Sequence, residues 1–226
     1  MGSVAAIIPA AGRSERMGGR DKLLLSLGGK PLLAWCVETL ESCSEVDRIV
    51  IAVRPDAMPL YERLLSRRRW MKSRCCVGGA RRQDSVAAAL QYVADADLVI
   101  VHDGDRPFAT PQMVREGLEI AGKVGAAVAA VPVSDTIKLV GRDGVVRRTL
   151  NRDELRAIQT PQIFRRDWLE KAYADMDSDV TDDATLVERI GHPVTLYEGA
   201  HENLKVTTPE DLLLARAIAR SRQATT

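Results

Sequence analysis

The stretch from Ile7 to Lys22 reads IIPAAGRSERMGGRDK, and it passes from an apolar strand into a basic loop that contains glycine. The apolar run Val4–Pro9 predicts a short buried strand. The loop matches neither standard nucleotide motif, since Gly12 does not begin a GxGxxG pattern and leucine follows Lys22 where a phosphate loop has serine or threonine. Small residues at a strand end still let a base or ribose approach the backbone, and amides near Gly12 can bind phosphate oxygens. On the residues alone, phosphate binding and a solvated loop are both open.

Predicted strands and helices alternate along the chain. The predicted strands are Val4–Pro9, Arg48–Val53, Ser73–Val77, Leu98–His102 and Ala126–Val133, and the predicted helices are Pro31–Ser42, Met58–Ser66, Asp84–Val93 and Pro111–Val124. Because the strands are apolar throughout, this order favours an α/β fold with a mostly parallel sheet and helices on both faces.

Ligands of such sheets bind beyond the carboxyl ends of the strands. This rule directs attention to four polar segments that follow strands: Pro9–Lys22, Gly78–Arg82, Asp103–Pro107 and Ser134–Lys138. We therefore expect the functional site at the edge of the sheet where these segments meet.

From Asp135 to about Leu150 the pattern changes to two alternating runs around the turn signal Gly141–Gly144. This pattern predicts a β-hairpin inserted into the α/β domain. An isolated hairpin is marginally stable, so it should pack on a second subunit or, alternatively, on its own domain. The chain is predicted to be a single domain over 1–226 with a β-arm inserted at about 135–152.

The composition excludes several classes of protein. The net charge of +1 and the sparse aromatic residues argue against a nucleic-acid partner. No apolar run reaches the length of a membrane span, and no leader pattern precedes a cleavage site, so we expect no membrane partner and a cytoplasmic location. The four cysteines show no metal-ligand spacing, which fits a reduced compartment.

A second polar segment follows the predicted strand Leu98–His102, where the sequence reads VHDGDRP. It places Asp103 and Asp105 at a strand end with Arg106 beside them. Carboxylates in this place can hold a ribose, a hydroxyl-bearing substrate or a hydrated Mg²⁺. The alternatives are a helix cap for Asp103 and an internal ion pair for Arg106. We interpret His102 as a scaffold residue rather than a catalytic base.

The sequence pattern does not show in which direction two further cationic side chains point. Lys205 lies between Leu204 and Val206, so it points away from the core if these two residues face it. That direction leads either to solvent or to the cleft. Arg152, which follows the predicted hairpin, has the same ambiguity.

The chain as a whole resembles the 2-C-methyl-D-erythritol 4-phosphate cytidylyltransferase family. The resemblance covers nearly the whole chain, and eight motifs in this order make it specific. The motifs are IIPAAGRSERMG with Lys22, GGARRQDSV, VHDGDRP, SDTIKL, the Arg152 region, QTPQIF, TDDATLVE and ENLKVTTPEDL.

The resemblance implies a Rossmann-like sheet and a protruding β-hairpin arm that interlocks with the same arm in a homodimer. It implies the transfer of CMP from CTP to 2-C-methyl-D-erythritol 4-phosphate with release of pyrophosphate, by in-line attack of the substrate phosphate on the α-phosphorus. It also implies a Mg²⁺ ion, held mainly by the CTP phosphates.

Matched position by position, the motifs imply three groups of site residues. The implied catalytic residues are Arg16, Lys22, Arg152 and Lys205. The implied nucleotide-binding residues are Ala10, Ala11, Gly12, Gly79, Ser85 and Asp103. The implied substrate-binding residues are Arg106, Thr136, Arg152, Thr160 and Lys205. Arg152 and Thr136 are expected to reach the site from the other subunit.

The sequence departs from the family pattern at three places. Asp21 and Leu23 flank Lys22 where proline and glutamine are usual, Ala80 replaces an acidic residue, and Asp105 stands where a small or apolar residue is common. We expect Asp21 either to weaken the field of Lys22 or to orient it. These departures bear on substrate preference more than on reaction class.

Three alternatives stay open at this stage. A ribitol 5-phosphate cytidylyltransferase shares the fold and the motifs, and another sugar-nucleotide or molybdopterin-type nucleotidyltransferase is a wider alternative. A non-catalytic nucleotide-binding protein belongs to a different class. The four implied catalytic cations argue against that last alternative, because a binder need not keep them all.

Overall fold

The computed structural model describes residues 2–13, 21–176 and 178–224. Arg16, one of the implied catalytic residues, lies outside the described residues. The described strands are β1 (Val4–Ala10), β2 (Ser26–Leu27), β3 (Lys30–Pro31), β4 (Arg48–Val53), β5 (Ser73–Val77), β6 (Leu98–Val101), β7 (Ala126–Pro132), β8 (Lys138–Val140), β9 (Val146–Thr149), β10 (Arg156–Arg165) and β11 (Thr195–Glu198). The described helices are α1 (Leu32–Ser42), α2 (Met58–Arg68), α3 (Arg82–Leu90), α4 (Pro111–Val124), α5 (Arg166–Ala174), α6 (Asp183–Arg189) and α7 (Pro209–Ala224).

The described residues form a central seven-stranded sheet in the order β11-β7-β10-β6-β1-β4-β5. β1 lies between β4 and β6 and pairs with both in parallel. Among the described strands of this sheet, β10 alone is antiparallel to its neighbours, β6 and β7. The mostly parallel, Rossmann-like α/β fold expected from the sequence is confirmed.

Alternation along β1 builds a core on each face of the sheet. Ala6 and Ile8 belong to the cluster under α1, α2, α4 and α7, whereas Ala5 and Ile7 belong to the cluster under α3, α5 and α6. Successive side chains of a strand point to opposite faces, so a strand covered on both sides is apolar throughout. This is the physical reason why the opening run of the sequence predicted a buried central strand.

The start of α3 was predicted too late. The helix begins at Arg82 rather than at Asp84, and the carboxylate of Asp84 accepts a hydrogen bond from the backbone N–H of Arg81 at 3.1 Å. Asp84 thus occupies the third helical position and completes a capping box from inside the first turn. An acidic residue in that position resembles an N-cap in sequence, which explains the error.

The predicted hairpin is present as β8 and β9, which pair antiparallel with each other in a separate two-stranded sheet. Every residue of both strands is exposed. Four apolar side chains of the arm are about half exposed: Leu139 at 52%, Val140 at 49%, Val145 at 54% and Val146 at 52%. These exposures disagree with the alternative in which the hairpin packs its apolar side chains on its own domain.

Within residues 2–13, 21–176 and 178–224, no helix combines the length and the apolar character that a membrane span requires.

Candidate active site

The carboxyl ends of β1, β4, β5 and β6 border one cavity of about 1030 Å³, called here the larger cavity. Its walls come from the loops that follow these strands and from the segment before α7. The implied nucleotide-binding residues Ala10, Ala11, Gly12, Gly79, Ser85 and Asp103 all line it, together with Lys22 and Lys205. The expectation that polar segments meet at this edge therefore holds for three of the four segments, while Ser134–Lys138 does not contribute to this wall.

The loop after β5 packs closely against the end of β1. A Cβ atom on Gly78 would lie 2.8 Å from Cβ of Ala11 and 2.9 Å from Oγ of Ser85, and one on Gly79 would lie 2.3 Å from Cβ of Asp84. Real Cβ atoms do not approach so closely, so both glycines are required by this packing. Oγ of Ser85 accepts a hydrogen bond from the N–H of Gly79 at 3.2 Å, which fixes the loop to the first turn of α3.

The segment after β1 is held from the opposite side of the larger cavity. The guanidinium of Arg54, in the loop after β4, donates to the carbonyl oxygen of Gly12 at 3.1 Å. A Cβ atom on Gly12 would meet no described atom within 4 Å. The packing of the described protein atoms thus does not account for glycine at this position, in contrast to Gly78 and Gly79.

Two lysines that are distant in sequence converge on the loop that follows β6. Nζ of Lys22 lies 2.6 Å from Oδ2 of Asp105 and donates to the carbonyl oxygen of Val206 at 2.9 Å. Nζ of Lys205 lies 2.9 Å from Oδ2 of Asp103. The ambiguity about Lys205 is resolved, because its ammonium is directed into the cleft.

Asp103 is the most heavily paired carboxylate of the cleft. Its Oδ1 accepts from Nε of Arg82 at 2.9 Å, in addition to the bond from Lys205 to Oδ2. Burial by itself would raise the pKa of Asp103, but Arg82 and Lys205 outweigh it and hold the pKa well below its usual range. Asp103 is therefore ionised near pH 7.

The sequence did not predict the buried residues that hold Arg82, the partner of Asp103, in place. Nη2 of Arg82 also lies 2.8 Å from Oδ2 of Asp183, whose side chain is fully buried. The hydroxyl of Tyr173 donates to the other oxygen of Asp183. Arg82 thus joins the loop after β5, the loop after β6 and α6. A signal was available in the second arginine of GGARRQDSV, although nothing in the sequence pointed to Asp183 as its partner.

His102 is a scaffold residue, as predicted. Its Nε2–H donates to the carbonyl oxygen of Arg106 at 3.1 Å, and its Nδ1 accepts from the hydroxyl of Thr160 at 2.9 Å. Burial lowers the pKa of His102 to about 4, more than the nearby Asp103 raises it. The ring is therefore neutral near pH 7, and both of its nitrogens are committed to the fold.

A smaller cavity of about 330 Å³ adjoins the larger one and shares Arg82, Asp103 and Lys205 with it. Arg106 and Thr160, implied as substrate-binding residues, both line it. Nη1 of Arg106 donates to the carbonyl oxygen of Asn203 at 2.9 Å. The hydroxyl of Thr160 accepts from the N–H of Asp103 at 3.0 Å, so this group holds the loop after β6 in place.

Arg152 and Thr136 lie at the foot of the arm. Both are exposed, and Nη1 of Arg152 donates to the carbonyl oxygen of Ser134 at 2.9 Å. Neither residue lines the larger or the smaller cavity within one chain. The structure therefore brings Lys22 and Lys205 together but leaves Arg152 and Thr136 outside the cleft of their own protomer.

Asp21 does not contact the ammonium of Lys22 through a described hydrogen bond. Its Oδ1 accepts from the N–H of Leu23 at 3.2 Å and caps the 3₁₀ turn Lys22–Leu24, while its Oδ2 accepts from the hydroxyl of Tyr61 at 2.9 Å. Tyr61 is fully buried, and burial together with Asp21 raises its pKa. Of the two expected effects of Asp21, the geometry corresponds to orientation of the turn that carries Lys22.

Among the described residues, no group of three or more histidine, cysteine, aspartate or glutamate side chains is arranged to hold a metal ion. The carboxylate of Asp103 is engaged by Arg82 and Lys205. The described part of the chain therefore offers no cage of such side chains for a cation.

Comparison with known sequences shows which family this chain resembles. Residues 4–221 match the family described as IspD: 2-C-methyl-D-erythritol 4-phosphate cytidylyltransferase. A 2-C-methyl-D-erythritol 4-phosphate cytidylyltransferase from Dehalococcoides mccartyi is 43% identical over 218 residues, which are 96% of each chain. An enzyme of the same name from Frankia casuarinae is 48% identical over 219 residues, covering 95% of this chain and 80% of that one.

Solved structures agree with the sequence comparison. The crystal structure of 4-diphosphocytidyl-2C-methyl-D-erythritol synthase from Anaerococcus prevotii superposes with a TM-score of 0.86 at 29% identity, covering 97% of this chain and 99% of that one. The 2-C-methyl-D-erythritol 4-phosphate cytidylyltransferase from Thermus thermophilus superposes with a TM-score of 0.80 at 36% identity, covering 96% and 99%.

Proposed function

The chain belongs to the 2-C-methyl-D-erythritol 4-phosphate cytidylyltransferase family, and we infer that its two adjoining cavities carry out the reaction of that family. The enzyme is a nucleotidyltransferase that transfers CMP from CTP to 2-C-methyl-D-erythritol 4-phosphate and releases pyrophosphate. The observation that carries the assignment to these cavities is the convergence of Lys22 and Lys205 on one loop between them.

We propose that CTP occupies the larger cavity. A nucleoside triphosphate needs close approach to backbone amides, and the end of β1 offers the small residues Ala10 and Ala11 followed by Gly12. Gly79, Ser85 and Asp103 complete the same wall.

The substrate phosphate is proposed to enter from the smaller cavity, past Arg106 and Thr160. It is already an anion and a nucleophile, so the reaction requires no general base. The enzyme has to bring two anions together in line and neutralise the charge that accumulates at the α-phosphorus. A neutral histidine with both nitrogens engaged, such as His102, is consistent with a reaction that needs no base at this place.

Lys22 and Lys205 lie on the larger cavity, and Lys205 also borders the smaller one. We propose that Lys22 stabilises the charge at the reacting phosphates and that Lys205 positions the substrate phosphate. The role of Arg16 as a second cation of the loop stays a prediction, because this residue lies outside the described residues.

We propose that Mg²⁺ accompanies CTP, bound chiefly to its phosphate oxygens. When bound there, the ion would neutralise part of the charge of the phosphates. The described protein side chains fit this arrangement because they supply no cage of their own.

We propose a homodimer that forms through the arm. Four apolar side chains of the arm are about half exposed, and a second subunit would bury them. Arg152 and Thr136, at the foot of the arm, lie outside the cleft of their own chain, which supports their contribution across the dimer. The cytoplasmic location and the single-domain organisation over 1–226 stay predictions.

A pyrophosphate-release assay with CTP and Mg²⁺ tests the substrate assignment. We expect rapid release with 2-C-methyl-D-erythritol 4-phosphate and much slower release with ribitol 5-phosphate. The opposite preference would identify a ribitol 5-phosphate cytidylyltransferase. Tight CTP binding without release in the presence of either substrate would place the protein among non-catalytic nucleotide-binding proteins.

A further inference from the structure

Asp105 has an unusual position for a carboxylate beside an anion-binding cleft. Its residue is only 8% exposed, and Oδ2 lies 2.6 Å from Nζ of Lys22. Among the described residues, the buried Oδ1 has no hydrogen-bond partner. The described hydrogen bond of this carboxylate is therefore the one that its Oδ2 accepts from Lys22, so the buried carboxylate depends on that lysine.

The pair belongs to a closed set of contacts between three segments of the chain. The N–H of Val206 donates to the carbonyl oxygen of Asp105 at 2.8 Å, and the ammonium of Lys22 donates to the carbonyl oxygen of Val206 at 2.9 Å. Lys22 thus contacts both Asp105 and Val206, the two residues whose backbone hydrogen bond joins the loop after β6 to the segment before α7. Movement of its ammonium would break contacts to both segments.

The backbone end of Lys22 is held as well. Asp21 caps the 3₁₀ turn and is itself bonded to the buried hydroxyl of Tyr61. Lysine has a flexible four-carbon stem and loses considerable rotamer freedom when it is fixed. With the turn anchored at one end and the ammonium at the other, most of that freedom is already lost before any substrate contacts the residue.

We propose that Asp105 is a positioning residue for Lys22 in cytidylyl transfer, a role that rests on the proposed function of Lys22 at the reacting phosphates. Asp105 holds the ammonium at one point of the larger cavity, and the benefit of this order is realised in the transition state. Stability does not explain the carboxylate, since apolar residues commonly replace buried ion pairs without loss.

The same carboxylate has an electrostatic cost. It places a negative charge beside a cleft that receives two anionic substrates, and it offsets part of the positive charge of Lys22. Positioning and repulsion therefore act on different kinetic constants. Loss of position lowers kcat, while loss of repulsion lowers the KM of CTP or leaves it unchanged.

The first test compares two substitutions of Asp105. In Asp105→Ala, kcat should fall roughly 10-fold because the ammonium loses the contact that Asp105 supplies, and the KM of CTP should not rise. In Asp105→Asn, the amide oxygen can still accept a bond from Lys22, so kcat should recover to within about threefold of the wild type. A rise in the KM of CTP together with an equal fall of kcat in both variants contradicts the proposal.

The second test is a double-mutant cycle with Lys22→Ala. That substitution alone should lower kcat roughly 100-fold or more while the KM of CTP changes little. Adding Asp105→Ala should then cause no further loss, because Asp105 acts through Lys22. If the two losses multiply instead, Asp105 acts by another route and the inference is wrong. If Lys22→Ala leaves kcat unchanged, Lys22 does not act at the reacting phosphates. That result contradicts the proposed function of Lys22 itself, on which the role of Asp105 rests.

Thermal unfolding supplies a readout that does not depend on catalysis. Lys22→Ala leaves the buried Asp105 carboxylate without its cation, so the Tm should fall, and the double variant should have a higher Tm than Lys22→Ala alone. Glu119→Ala is the matched control for the kinetic tests, since it removes an exposed carboxylate that contacts Lys123 at 2.7 Å. It should leave kcat and the KM of CTP unchanged.

Discussion

Lys205 and Asp103 are separated by 102 positions in the sequence, yet their charged atoms lie 2.9 Å apart. The same carboxylate also accepts from Arg82, in the first turn of α3. One buried side chain therefore holds a cation from the segment before α7 and a cation from the helix that follows the glycine loop. The wall between the two cavities depends on this single carboxylate.

Replacement of Asp103 by asparagine should lower both stability and turnover. The amide keeps the shape but removes the charge that pairs with Arg82 and Lys205, although Arg82 keeps its ion pair with Asp183. Breaking a buried ion pair from one side costs roughly 3–5 kcal/mol, and we expect the lower end of that range because Lys205 is 38% exposed. Urea unfolding measures this loss.

A matched control for Asp103→Asn is available on the surface. Asp95 receives two hydrogen bonds from Arg48, both at 2.6 Å, but its side chain is 67% exposed. Asp95→Asn should change the free energy of unfolding far less than Asp103→Asn does, because an exposed ion pair is screened by solvent. Equal effects of the two substitutions would contradict a special role for Asp103.

His102 should make the protein less stable in mild acid. Its pKa is lowered to about 4 in the folded protein, against an ordinary value of 6.5. Between these two values the unfolded chain binds a proton that the folded chain does not, so stability falls as the pH is lowered from 6.5 towards 4. This linkage amounts to about 2–3 kcal/mol at pH 4.5.

The contribution of His102 is isolated by the variant His102→Gln, which cannot titrate in this range. Its free energy of unfolding should decrease less than that of the wild type between pH 7 and pH 4.5 in urea titrations. Identical pH dependence in the two proteins would show that burial does not perturb the histidine. Other titrating groups contribute equally to both curves and cancel in the comparison.

A charge on the arm should prevent dimer formation. Val146 is 52% exposed in one chain, and a second subunit would bury it, so Val146→Glu would place a carboxylate in an apolar contact. We expect sedimentation analysis to find a dimer for the wild type and a monomer for the variant. Leu213→Glu on α7 is the control, because Leu213 is 64% exposed and lies outside the arm. A monomeric wild type would overturn the dimer.

Subunit mixing tests whether the arm supplies residues across the dimer. Arg152→Ala and Lys22→Ala should each be nearly inactive. If Arg152 acts in trans, each mixed dimer contains one intact site, so random exchange should restore about one quarter of wild-type activity. Lys22→Ala mixed with Lys205→Ala is the control, since both residues line the cleft of one chain and no intact site can form. No restoration in the first mixture, with exchange demonstrated, would count against the arrangement in trans.

Much of the fold was predictable because it depends on local patterns. The apolar runs of β1 and β4 are buried on both faces of the sheet, and that burial requires apolar side chains at every position. The arm was predictable for the same reason, since its alternation and turn signal are local. The antiparallel direction of β10 was not, because the residues of a strand do not encode the direction of the strands beside it.

The segments that meet at the site were also predictable, since ligands of such sheets lie beyond the carboxyl ends of the strands. Their partners were not. The sequence showed Asp21 beside Lys22 and left open whether it weakens the field of the lysine or orients it. The structure directs Asp21 to Tyr61 and pairs Lys22 with Asp105, because adjacent side chains diverge on a turn.

By itself, then, the sequence determined the order and burial of the strands, the presence of the arm and the set of motifs that marks the family. Only the tertiary structure decided which carboxylate holds which cation, and that Arg152 lies outside the cleft of its own chain. The physical reason is the range of the forces involved. Burial patterns are written residue by residue along a strand, whereas an ion pair such as Lys22–Asp105 depends on contacts across 83 positions that the packing of the whole sheet brings together.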